Sequence, residues 1–170
     1  AINKKKLIEM NVAPEMIKVF LDNYNYDPET RTILIGELES LKEVKGRSFF
    51  IAAATLADEE TSARLFQVTA QMMADYHRLI APVAHIGAIS GRPILKNREG
   101  VVVLPLPVDY IFWTKNVASK LQLIENGIAR IKDVKGKELW VSGQVEQLTG
   151  EQISKRGWNI IQNVIPLVAQ

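Results

Sequence analysis

Between Asp58 and Ile80 apolar side chains recur three and four residues apart without a break, which predicts one helix around which the remaining elements pack. Ser62, Phe66, Thr69, Met73, Tyr76 and Ile80 make one stripe, and Leu65, Val68, Met72 and Leu79 make a second beside it. Glu60, Arg64, Gln67, Gln71, Asp75 and Arg78 form a narrow polar strip. The prediction is therefore a central helix, covered on most of its circumference, with that strip in water. A third line of Ala63, Ala70, Ala74, His77 and Ala81 has little bulk and is expected to press against a sheet. Asp58 is the expected cap, Glu59 and Glu60 place negative charge at the positive end of the helix dipole, and Pro82 stops the helix.

Upstream the pattern is also helical. Asn3 to Met10 reads as a short basic amphipathic helix or turn, and Pro14 to Asn23 as a helix with proline at its first position. In Pro28 to Leu41 the apolar set Ile33, Leu34, Leu38 and Leu41 has helical spacing, with Asp27 as its cap and Gly46 ending the region. Ser48 to Leu56 is apolar and alanine-rich, which favours a buried helix, while its Phe49-Phe50-Ile51 start leaves a strand open.

After Pro82 the period changes. Val83 to Ser90 reads as a strand, and Pro93 to Lys96 pairs with Val101 to Leu104 in a hairpin turned by Asn97 to Gly100 and ended by Pro105 and Pro107. A helix follows from Trp113 or Thr114 to about Leu123, and Asp133 to Lys137 is a polar connection. Glu138 to Gly143, Thr149 to Arg156 and Trp158 to Val164 form a closing βαβ unit, so two parallel strands join a sheet begun by an antiparallel hairpin. The fold class is α+β: a helical N-terminal half, about residues 1–81, packed on a small mixed sheet within about residues 82–170. At 170 residues the expectation is one domain.

Charge and composition narrow the partners. The 21 basic and 19 acidic residues leave a net charge of +2, which exerts no long-range pull on nucleic acid or anionic lipid. Lys4-Lys5-Lys6 and Lys42 to Arg47 are the basic clusters; neither has interleaved aromatics, so solvated charge is expected rather than a nucleic-acid patch. There is no cysteine, which removes disulfides, thiolate catalysis and cysteine-ligated zinc. No apolar run reaches the ~20 residues of a spanning helix. The chain begins Ala1-Ile2-Asn3 without methionine, as expected of a processed or trimmed product.

The closing segment Glu138 to Ile161, ELWVSGQVEQLTGEQISKRGWNII, resembles the ending of a group of uncharacterised bacterial proteins, in which a WVSG strand is followed by a helix and a Gly-Trp before the last strand. The resemblance extends back to PLPVDYIFWT at Pro105 to Thr114. It implies a bacterial protein, with export to the envelope or periplasm favoured over the cytoplasm, and it implies no activity.

Catalytic constellations are sparse. There is no GxxxxGK[ST] and no GxGxxG opening a helix after a strand, and Ser90 in Gly87 to Gly91 is one position away from a nucleophile elbow. His77 and His85 belong to no HExxH, and a single ion would need carboxylates beside both. Either could act as a general base with Asp109 as orienting acid; otherwise His77 bonds a carbonyl at the helix end and His85 is half-buried in a strand. Asp109, Tyr110 and Trp113 form an aromatic corner after a proline-delimited strand, suited to ligand contact, unless Asp109 caps the next helix and the aromatics fill core. Tyr24 to Tyr26 is a partner-contact loop or the edge of a core. The reading is a non-catalytic binding or interaction domain for a protein or small ligand, without cofactor, metal, nucleic acid or membrane span, and with the oligomeric state open. The alternative is a hydrolase-like small-molecule enzyme using a His/Asp pair.

Overall fold

A computed structural model describes residues 1–164 of the chain. Five helices come first: α1 (Ile2–Glu9), α2 (Pro14–Asp22), α3 (Pro28–Ser40), α4 (Arg47–Ala54) and α5 (Glu60–Leu79). Then follow β1 (Val83–Ile89), β2 (Arg92–Asn97), β3 (Val101–Leu106), β4 (Tyr110–Ile111), α6 (Lys115–Ile128), β5 (Gly136–Val141), β6 (Gln144–Val145), α7 (Gln147–Lys155) and β7 (Trp158–Ile161). The fold is α+β, with a helical first half and a mixed sheet in the second. Among the described residues no helix is long and apolar enough to cross a membrane.

Local chemistry accounts for most boundaries. Asp27 accepts the Thr30 amide at 2.7 Å and Pro28 supplies a pre-set first turn to α3. The alanine-rich run is the helix α4, with Phe50 and Ile51 fully buried. Gly46 starts it at φ +86°, and a Cβ there would lie 2.0 Å from the carbonyl oxygen of Ile86, so only glycine lets α4 begin against β1.

The central helix differs from expectation at three places. Its cap is Glu59, not Asp58: the Glu59 side chain takes the Ser62 amide while Ser62 Oγ accepts the Glu59 amide at 3.2 Å, a reciprocal pair that Asp58, one residue earlier, cannot close. Asp58 instead accepts a bond from Ser62 Oγ at 3.3 Å. The strip predicted to face water is covered at its middle, where Gln71 and Asp75 are buried, because α3 packs along α5. Conversely Leu65, Leu79 and Ile80 are exposed although they continue the apolar stripes. Met72 and Met73 are fully buried, as a central helix requires.

The sheet runs β1-β2-β3-β5-β7, with β1–β2 and β2–β3 antiparallel and β3–β5 and β5–β7 parallel. The expected closing βαβ unit is β5–α7–β7, and α6 makes a second crossover between β3 and β5. Ser90 and Gly91 turn β1 into β2 with φ of 51° and 76°, the left-handed pair that a two-residue hairpin of this hand needs. Asn97 closes the next turn by accepting the amides of Glu99 and Val101, both at 3.0 Å, and donates to the Tyr76 hydroxyl of α5 at 3.0 Å. Helix α6 is capped by Thr114 and continues past the expected end at Leu123 to Ile128, with Leu121, Ile124 and Ile128 on its buried side.

Alternation along the strands divides the interior in two. Leu95, Val103 and Trp140 join the core under the N-terminal helices; Ile94, Val102, Leu104, Leu139 and Val141 join a second core under α6 and α7. Both faces of the sheet are therefore covered, as parallel strands demand. Between the crossovers, β4 and β6 form a two-stranded parallel ladder that sequence periodicity does not reveal, since two residues carry no period.

Candidate functional site

Prolines open the sheet at one end. The paired register between β2 and β3 is Leu95↔Val103 and Lys96↔Val102, and beyond it lie Pro93 and Pro105, which have no amide to donate. Pro105 does not end β3 as predicted: it lies inside the strand opposite Trp140 of β5, where β3 no longer pairs with β2. Around this end runs a cleft with two adjoining lobes. One, about 490 Å³, lies between Leu65, Phe66 and Thr69 of α5, the Ser90 to Pro93 turn, Pro105, Pro107 and Leu123 of α6. The other, about 340 Å³, lies at the carboxyl ends of β3 and β5, over Leu104, Leu106 and Leu139, between α6 and the Tyr110–Phe112 corner. The outer ends of parallel strands are a usual place for ligands in α/β sheets.

The walls are apolar, and their rim is exposed. Leu65 is 42%, Leu123 54%, Tyr110 44% and Phe112 58% accessible, so large apolar side chains from three separate parts of the chain meet water around one opening. Tyr110 and Phe112 pack on each other with ring centroids 4.6 Å apart. Arg92 and Lys120 belong to both lobes, and among the described residues no aspartate or glutamate lines either.

The corner is held by backbone contact. The amide of Gln144 donates to the Asp109 carbonyl at 2.9 Å, and β4 pairs with β6 as Tyr110↔Gln144 and Ile111↔Val145. Gly143 makes this possible: a Cβ there would stand 2.0 Å from the Asp109 carbonyl oxygen. Ser142 Oγ reinforces the junction by donating to the Val108 carbonyl at 3.0 Å.

Of the candidate site residues His77, His85, Asp109, Tyr110 and Trp113, only Tyr110 lines the cleft, and Ser90 lines it as part of the β1–β2 turn. The Asp109 side chain is exposed outside it, and Asp109 does not cap α6, since Thr114 holds that position and accepts the Val117 amide at 3.1 Å. Trp113 turns away to stack under the Arg156 guanidinium at 5.4 Å. That guanidinium pairs with Glu125 at 2.7 Å, and Glu125 also accepts the Trp158 indole N–H at 3.0 Å, so Trp113 belongs to a clamp joining α6 to the closing βαβ unit.

The histidines lie elsewhere. His77 Nδ1 accepts the Val83 amide at 2.9 Å, where a bond to a carbonyl had been expected. This nitrogen carries no proton in that bond, and loss of hydration together with the Arg98 charge lowers the imidazole pKa, so the ring is neutral despite the helix dipole. His85 is exposed on β1, opposite Lys96, where half-burial had been expected. Lys96 is level with Val102 of β3, which lies about 13 Å of strand before Leu106, and Asp109 is beyond that end. His85 and Asp109 thus stand at opposite ends of the sheet.

The remaining candidates are structural in placement. Tyr26 is buried and donates to the Ala54 carbonyl at 2.7 Å, whereas Tyr24 stands in water. Lys6 pairs with Glu39 at 2.9 Å and Arg47 donates to the Leu38 carbonyl at 3.1 Å, so the basic clusters are partly committed to the α1–α3 surface. Arg92, Lys120, Phe112, Leu65 and Leu123 were not read as site residues in the sequence, although the spacing of Pro93, Pro105 and Pro107 carried a signal of an interrupted sheet. Compared with protein-family models, curated proteins and solved structures, the chain matches none.

Proposed function

We propose that this chain is a non-catalytic binding domain of a bacterial protein and that the two-lobed cleft holds its ligand. The observation that carries this reading is the convergence of Leu65, Leu123, Tyr110 and Phe112 on one opening: exposed apolar area concentrated at a cavity is kept where something covers it. The hydrolase alternative gains no support, because His77 is engaged with the Val83 amide and His85 and Asp109 occupy opposite ends of the sheet.

The test is titration with Nile red, a neutral apolar dye, against the wild type, L65S/L123S and the control L79S, whose leucine is exposed away from the cleft lining. Saturable one-to-one binding is expected, weakened about tenfold or more in the double variant and unchanged in L79S; removing two contacts of about 1 kcal/mol each gives that size. Absence of saturation, or equal loss in L79S, overturns the proposal. Circular dichroism confirms that each variant is folded.

A further inference from the structure

The cleft has a charge as well as a shape. Arg92 opens β2 and Lys120 lies on α6, and both border the seam between the lobes. Among the described residues neither cation has an ion pair or a hydrogen-bonded partner, and no carboxylate lines the cavity. Two solvent-exposed positive side chains along the margin common to both apolar lobes offer contacts to one anionic group flanked by hydrocarbon.

Resting on the reading of the cleft as a binding site, we propose that its ligand is a small anionic amphiphile: a hydrocarbon body lying in the lobes, with a carboxylate or phosphate head between Arg92 and Lys120. Lobes of about 340 and 490 Å³ fall within the roughly 300–1,000 Å³ of small-molecule sites. The Tyr110–Phe112 pair covers the hydrocarbon on the outer side, and Thr114 and Ser62 lie on the polar margins.

Calorimetry of the full chain with decanoate, decyl phosphate, decan-1-ol and decyltrimethylammonium, each below its micellar concentration, tests this. One or both anions are expected to bind about tenfold or more tightly than the alcohol and the cation, and which anion is tighter identifies the head group. R92Q and K120Q are each expected to lose most of that preference, while K4Q, on α1, keeps it; the melting curve of each variant shows that it is folded. Anion binding no tighter than that of the cation, with Nile red still saturating, overturns the charge assignment and leaves the binding reading standing. Failure of both overturns both. Self-association that excludes every probe, or saturable binding of an acidic amphipathic peptide with none of decanoate or decyl phosphate, overturns the proposal in favour of a second copy or a protein partner.

Discussion

Asp75 and Glu37 show what burial does to a residue whose position in a helical pattern marks it as polar. Asp75 sits under α3 and pairs with Arg78 at 2.6 Å, and its charge acts on Glu37 across the helix contact. The Glu37 carboxyl is pushed above its ordinary value of 4.5, first by burial and then by Asp75, with Arg78 opposing. A carboxyl raised on folding adds stability only while protonated, below its ordinary value, and that contribution is lost as pH rises through the raised value. At neutral pH the Glu37 charge therefore costs stability. Glu37→Gln is expected to raise Tm at pH 7 by about 1–2 °C, with the gain shrinking toward pH 4.5; a lowered Tm at pH 7 contradicts this account. His77 behaves in the opposite sense. Its pKa is lowered, so its contribution is complete above 6.5 and is lost as pH falls through the lowered value. His77→Phe removes the acceptor of the Val83 amide, and urea unfolding at pH 8 is expected to show a loss of about 1 kcal/mol that narrows on acidification, as the wild-type ring gains its proton. Equal losses at both pH values would mean that packing, not the bond, is responsible.

At the scale of elements, helices α3 and α5 and the β2–β3 hairpin were legible because each carries its own signal. Asp27-Pro28 starts α3, an unbroken period runs through α5, and Asn97 to Gly100 separates two β-branched runs. The β4–β6 ladder was not legible, since it exists only because Gly143 lets the chain after β5 lie against Asp109. Gly143→Ala is expected to cost about 1–3 kcal/mol by forcing apart two backbones at a place with no flexible side chain to yield. It should also disturb the Tyr110–Phe112 corner, so near-ultraviolet circular dichroism and the melting curve should change together. A melting curve identical to the wild type would show that the approach is looser than 2.0 Å implies.

Across the whole molecule, the sheet separates a larger core under five helices from a smaller one under α6 and α7, and the cleft runs around the sheet end where those layers meet. Periodicity and turn chemistry were sufficient for the α+β class, the central helix and the closing βαβ unit, because each depends on residues within a few positions of one another along the chain. The candidate site was not, for it joins α5, the β1–β2 turn, the end of β3 and α6. Burial of Asp75, separation of His85 from Asp109, and the placing of Arg92 and Lys120 along one apolar cleft all depend on contacts between distant parts of the chain. Which side chains face one another across such contacts is set by strand order and helix docking, and neither is encoded in local spacing.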